Sequence, residues 1–206
     1  KNRYCNLFAL DSHRVKLNTS KNSTSDYINA SHITLPSLPP FIIAQGPMHP
    51  SYHGEDTISH FWQMVLENNV TTIVNMGGEP APGFTNFALY WPSSQKKPTT
   101  FGPNTVAQTH HERTPHNNII RRLKINDSHT LTHLSCMSWP NYGVPDDTAA
   151  VCELIRLVSE NDDDNSTTTL IHCSGGVGRS GTFLTAYTVL HTNGNLTIPQ
   201  VVRSIR

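Results

Sequence analysis

The chain has 206 residues, 36% of them hydrophobic and 8% aromatic, and its 15 basic and 15 acidic side chains balance to a formal charge of zero. That length supports one domain with a full core spanning residues 1–206, and the charge balance excludes a polyanion-binding surface of the kind nucleic acid requires. Four cysteines (Cys5, Cys136, Cys152 and Cys173) lie far apart with no Cys-x-x-Cys pair, which excludes a disulfide scaffold and a zinc ribbon and points to a reducing compartment.

No apolar run reaches the length of a membrane span and no signal peptide opens the chain. A cytoplasmic domain, or the cytoplasmic part of a larger protein, is therefore expected. Turn-rich stretches at 18–26, 34–40, 77–83, 92–104 and 161–168 punctuate the sequence. In chain order, the apolar run 41–44 reads as a strand. Residues 59–68 predict a helix with Phe61, Trp62, Val65 and Leu66 on one side, and 72–76 reads as a second strand.

Twelve histidines invite a test for metal binding. The densest group, His110-His111-Glu112 with His116, lacks the His-Glu-x-x-His spacing of zinc proteases and reads as an exposed polar loop holding no metal. Residues 149–159 predict a helix with Val151, Leu154, Ile155 and Val158 together. The acidic run 162–164 reads as a solvated loop, and 169–172 as a third strand. A further helix should begin near Gly178 and run through Phe183, Leu184, Tyr187 and Leu190 to a stop at Gly194, with another starting at Ile198. Sequons at Asn22, Asn29 and Asn165 read as chance tripeptides in a polar chain. Strands mixed with helices over one core predict a single α/β domain.

One stretch carries chemistry: His172-Cys173-Ser174-Gly175-Gly176-Val177-Gly178-Arg179-Ser180-Gly181. A strand delivers a cysteine into a glycine-rich loop, and a helix starts at once. Glycines let successive N–H groups turn inward and the helix N-terminus adds its positive dipole end, so residues 174–178 make a cradle for a dianion. The same field favours the thiolate of Cys173. Arg179, six residues on, can grip two phosphate oxygens with its planar fork, and that grip tightens as a phosphoryl group becomes trigonal. Ser180 can donate a hydrogen bond to the sulfur, and His172 orients the loop from below. With 4 cysteines and 9 arginines, Cys-x5-Arg alone arises by chance in about one sequence in six. Requiring the preceding His, the central Gly178 and the Ser-Gly tail lowers that to the order of one in a million.

This stretch resembles the signature loop of the cysteine-dependent protein tyrosine phosphatases, and the likeness covers nearly the whole chain. Lys1-Asn2-Arg3-Tyr4 is similar to that family's phosphotyrosine recognition loop, in which the tyrosine walls a deep pocket, and Asn6 falls where the substrate peptide backbone is clamped. Asp26-Tyr27-Ile28-Asn29-Ala30, Gln45-Gly46-Pro47, Phe61-Trp62 and Tyr90-Trp91-Pro92 match structural motifs in the expected order. The resemblance implies the tyrosine-specific branch: a twisted mixed sheet with helices on both faces, cut short at its C-terminal end. It also implies a phosphocysteine intermediate, no cofactor, phosphotyrosine proteins as partners and a monomer.

Three departures qualify that implication. In Trp139-Pro140-Asn141-Tyr142-Gly143-Val144-Pro145 the family carries aspartate at the position of Asn141, where it protonates the departing phenolate. A carboxamide cannot do so, and losing a general acid costs about 10²–10⁴-fold. Asp146 and Asp147 follow and are candidates to substitute. Asn86 stands where a lysine usually touches the closed acid loop, and Glu79 is read either as the carboxylate partner of Arg179 or as a solvent-facing loop residue. The chain also ends at Arg206, before the region of the family's water-positioning glutamine. The expectation is a tyrosine phosphatase slowed at its acid step, or else a binding module that traps phosphotyrosine.

Overall fold

A computed structural model of the chain describes residues 1–19, 25–50, 56–80, 86–161 and 167–205. Its elements run β1 (Arg14–Lys16), β2 (Tyr27–Ile33), β3 (Phe41–Ala44), α1 (Ile58–Glu67), β4 (Val70–Asn75), β5 (Thr99–Phe101), β6 (Asn104–Arg113), β7 (Ile119–Ile125) and β8 (His129–Ser135). They continue through α2 (Thr148–Glu160), β9 (Thr168–His172), α3 (Gly178–His191) and α4 (Ile198–Ser204). The strands form one mixed sheet in the order β1-β2-β3-β9-β4-β8-β7-β6-β5, parallel among β3, β9, β4 and β8 and antiparallel outside them.

Side chains alternate across a strand, and the central strands use both faces. Ile42, Ile73 and Leu170 face the layer that holds Phe61, Trp62 and Val65 of α1. Their neighbours Phe41, Val74 and Ile171 face Val151, Leu154 and Val158 of α2 and Phe183, Leu184 and Tyr187 of α3. Helices thus cover both faces, and each large apolar side chain buried this way contributes roughly 1.5–3 kcal/mol. Asp147 caps α2 by accepting the Ala149 N–H at 2.8 Å.

Register fixes where chemistry can occur. Ala44 pairs with His172, His172 with Asn75, and Asn75 with Ser135. Four parallel strands therefore end level, and the loops after β3, β4, β8 and β9 emerge along one edge. Crevices at the carboxyl ends of parallel strands are the usual ligand sites of such sheets.

The helix and central-strand expectations agree with the structure to within two residues, apart from the end of α3. That helix stops at His191, before the chain turns through Gly194 at φ 73°, and leaves Leu190 57% exposed. Strands β1, β2, β5, β6, β7 and β8 are additions that the pattern reading passed over, β5 falling within the stretch 92–104 that read as turn-rich. His110, His111 and Glu112 lie on β6 rather than in a loop, with exposed side chains, because the strand runs out beyond the core at that end. His116 is apart from them, paired to Asp147 at 3.1 Å. Asn29 is buried on β2, its Nδ2 donating to Leu7 O at 2.9 Å and to Gln45 Oε1 at 3.2 Å, so its sequon is inaccessible. Residues 162–164, Asn22 and Asn165 lie outside the described residues. Among the described residues no helix is long and apolar enough to cross a membrane, and no three metal-ligating side chains gather.

Candidate active site

The loop between β9 and α3 is shaped by contacts only glycine allows. Gly176 has φ 73°, and a Cβ there would sit 2.5 Å from Ala44 O. Gly46, at the end of the neighbouring strand, donates its N–H to Ser174 O at 3.0 Å. A Cβ on Gly46 would lie 2.5 Å from Cys173 O. The loop is thereby pressed against β3, with Cys173 at its base, only 4% exposed.

Burial alone pushes the Cys173 thiol up. That effect is outweighed by the Ser180 hydroxyl, the N–H groups of Ser180 and Gly176, and the Arg179 charge, so the thiol lies below its ordinary value of 9.0. The buried Ser180 hydroxyl makes no hydrogen bond of normal geometry, and as a dipole beside the sulfur it lowers the thiol.

Beneath the loop lies a polar chain in an apolar setting. His172 Nδ1 meets Cys173 O at 3.2 Å, and a carbonyl only accepts, so Nδ1 carries the proton. Burial holds this imidazole neutral, with its pKa down at about 4. Its bare Nε2 then accepts from Tyr90 OH at 2.6 Å, and the Tyr90 oxygen accepts in turn from His133 Nε2 at 2.8 Å. Burial raises Tyr90 and lowers His133, keeping both uncharged. His172 Nδ1 thus holds the Cys173 carbonyl at the base of the loop.

Tyr4 lines the rim. Its hydroxyl lies 3.1 Å from Ser174 Oγ, and its ring comes within 3.1 Å of where a Cβ on Gly175 would stand. The segment carrying it is pinned to β3: Gln45 Nε2 donates to Lys1 O at 2.9 Å, and Arg3 Nη2 to Pro47 O at 3.0 Å. Asn6 borders a groove that Gly175, Gly176, Val177 and Gly178 also line.

Arg179 is buried, donating from Nη1 to Trp139 O and from Nη2 to Asn141 Oδ1, each at 3.2 Å. The loop after β8 therefore sits over the cradle with Asn141 against the guanidinium. Of the two carboxylates that follow, Asp147 is committed to capping α2 and pairing with His116, and Asp146 is exposed. Among the described residues neither hydrogen-bonds to the cradle.

Glu79 is not the partner of Arg179. It pairs with Arg121 on β7, whose side chain is 4% exposed and lies 4.9 Å over the Trp91 ring. A buried guanidinium needs an anion, and Arg121 meets it in Glu79, while Arg179 spends two of its five N–H groups on the loop above. Sequence reading missed Arg121, His133 and the buried Asn75, which accepts the Gly77 N–H at 2.9 Å and so shapes the turn leading to Glu79. Their one available signal was a polar residue inside an apolar strand run.

This geometry suits a buried thiolate, backed by N–H donors and an arginine, to receive a phosphoryl group. Comparison with known proteins agrees. The protein-tyrosine phosphatase family model matches residues 1–206. Receptor-type tyrosine-protein phosphatase eta of Mus musculus is 37% identical over 191 residues, covering 89% of this chain and 15% of that protein. Receptor-type tyrosine-protein phosphatase C of Homo sapiens is 34% identical, covering 89% of this chain and 14% of that protein. Tyrosine-protein phosphatase non-receptor type 20 of Rattus norvegicus is 33% identical over 217 residues, covering 100% of this chain and 48% of that protein. The chain thus spans half or less of each of these relatives, and with the family model matching end to end it belongs to the protein-tyrosine phosphatase family.

Proposed function

We propose that this domain binds phosphotyrosine and transfers its phosphoryl group to Cys173, at a rate held down by an unassisted leaving group. The observation that carries this reading is Cys173 itself, a buried thiol whose pKa is nonetheless lowered by Ser180, loop N–H groups and Arg179. Tyr4 and Asn6 bound the entry for the aryl group and the peptide. The loop N–H groups and Arg179 bind the phosphate, and the Cys173 sulfur attacks phosphorus in line. The P–O bond to the phenol breaks as the S–P bond forms. The phenolate leaves with the electron pair and takes its proton from water, because Asn141 has none to give. Water then cleaves the phosphocysteine, releasing phosphate and restoring the thiolate. No metal or cofactor enters any step. A cytoplasmic setting and phosphotyrosine proteins as partners go with this reading.

A second reading is favoured by the contact between Asn141 and Arg179. With binding groups intact and no proton donor, the domain can hold phosphotyrosine proteins and release them slowly. One experiment separates the two: turnover and binding of a phosphotyrosine peptide and turnover of p-nitrophenyl phosphate by the chain, Asn141→Asp and Cys173→Ser. Turnover that Cys173→Ser abolishes supports the enzyme. Tight binding without peptide turnover until Asn141→Asp supplies it supports the trap, and absence of both binding and turnover overturns both.

A further inference from the structure

Three residues distant in sequence form a continuous run of hydrogen bonds over the cradle. Arg179 donates from Nη2 to Asn141 Oδ1 at 3.2 Å, and Asn141 donates from Nδ2 to Asn86 Oδ1 at 3.1 Å. Arg179 Nη1 holds Trp139 O at the same time, and Trp139 Nε1 donates to Gly143 O at 3.0 Å, which ties the loop to itself. A guanidinium has five N–H groups, so these two bonds leave three for an incoming phosphate.

The order of donors and acceptors is informative. A carboxamide accepts and donates at once, which neither a carboxylate nor an ammonium can do. Asn141 spends its oxygen on the guanidinium and its nitrogen on Asn86. The neutral acceptor at 86 is complementary to a carboxamide at 141 and would offer a lone carboxylate no N–H partner in that orientation. The two unusual residues are thus matched to each other, and each accounts for the other's chemistry.

We propose that Asn86 is a positioning residue: its carboxamide latches Asn141, and with it the 139–145 loop, over Arg179 and Cys173. For its use in phosphotyrosine capture this rests on the function proposed above. The latch itself carries no net charge, so it resists salt in a way that a lysine–carboxylate closure does not. One hydrogen bond of this kind shifts the ratio of closed to open loop by about 2- to 10-fold, a bias rather than a lock.

The test needs no substrate. Iodoacetamide alkylation of the full chain is followed cysteine by cysteine by mass spectrometry, across pH, so that the plateau rate of the Cys173 thiolate is separated from its midpoint. Exposed Cys5 and Cys152 serve as reference, and buried Cys136 reports on the fold. Asn86→Ala should raise the Cys173 plateau relative to Cys5 by about 2- to 10-fold, and Asn141→Ala should act similarly. The double variant should match the larger single effect rather than their product. Asn86→Asp, which keeps an acceptor for Asn141 Nδ2, should hold the plateau near the parent value, and added salt should not move the parent.

An unchanged plateau in Asn86→Ala, multiplying single effects, or Cys136 reacting alongside Cys173 overturns the latch. In a Cys173→Ser chain, a phosphotyrosine peptide should bind more weakly by a similar factor once Asn86→Ala is added. Failure of Cys173→Ser to bind the peptide at all removes the phosphotyrosine reading, while the alkylation ratios still decide the latch.

Discussion

Arg179 Nη2 and Asn141 Oδ1 are in hydrogen-bond contact at 3.2 Å, so the residue proposed to grip a phosphoryl group already touches the carboxamide proposed to replace a proton donor. An acidic group at 141 would therefore lie within reach of a leaving oxygen bound beside Arg179. Asn141→Asp should raise kcat on a phosphotyrosine peptide by about 10²–10⁴-fold. The gain should shrink on aryl phosphates with more acidic phenols, because tyrosine's phenol, with a pKa near 10, is the one that needs protonation. A series of aryl phosphates checks this. The parent should show a steep dependence of rate on leaving-group pKa and the variant a shallow one, and equal slopes would refute it.

The pH profile should follow from the same substitution. Cys173 lies below its ordinary value of 9.0, so its thiolate forms as pH rises through that lowered pKa and stays formed above it. Nothing at 141 titrates, so activity should rise and then level off, whereas Asn141→Asp should add a falling basic limb as its carboxyl loses its proton. Ser180→Ala should move the alkylation midpoint of Cys173 upward. An unmoved midpoint would show that Ser180 does not stabilise the sulfur.

Gly46 meets Cys173 O and Phe87 Cβ, each 2.5 Å from where its own Cβ would stand. Neither neighbour can yield without displacing the 173–178 loop or the aromatic packing. Gly46→Ala should cost about 1–3 kcal/mol of stability from overpacking and raise the Cys173 pKa as the N–H groups lose their aim. Urea unfolding and the alkylation profile read the two effects separately. A normal midpoint in a destabilised variant would mean that the loop holds its shape without this contact.

His172 has a folded-state pKa near 4 against 6.5 for an ordinary histidine, because it is buried. Its depressed value means that the stabilising neutral form is fully present above pH 6.5, and that stability is lost as pH falls from 6.5 toward 4, where the unfolded chain takes up the proton first. Two and a half pKa steps correspond to roughly 3 kcal/mol. His133, also pushed down by burial, adds in the same direction. Urea midpoints at pH 7.5 and 5 should show the decline, and NMR titration should find the His172 ring neutral at pH 5. A ring titrating near 6.5 in the folded protein would sink the argument.

Much of the site was legible because it is local. Residues 172–181 hold thiol, N–H cradle, arginine and helix start within one strand-loop-helix unit, and glycine spacing alone dictates that the backbone turns inward there. The helices α1 and α2 were legible for a related reason: each carries its own apolar stripe at helical period. The strands β6 to β8 were not, because β6 leaves the core after Gln108 and β7 interleaves Arg121, Arg122 and Lys124 with its buried Ile119, Leu123 and Ile125.

The sequence by itself determined the strand-loop-helix unit at 172–181, the thiol and arginine it carries and the carboxamide at 141, since each follows from residue type and short-range spacing. Only the tertiary structure decided partners. Glu79 goes to Arg121 rather than Arg179, Tyr90 joins His133 to His172, and Asn86 meets Asn141, all across 42 to 82 positions of chain. Such pairings depend on which strand ends lie level at the sheet edge and on which buried charge most needs a counter-charge. Those are properties of packing and desolvation, which no local pattern encodes.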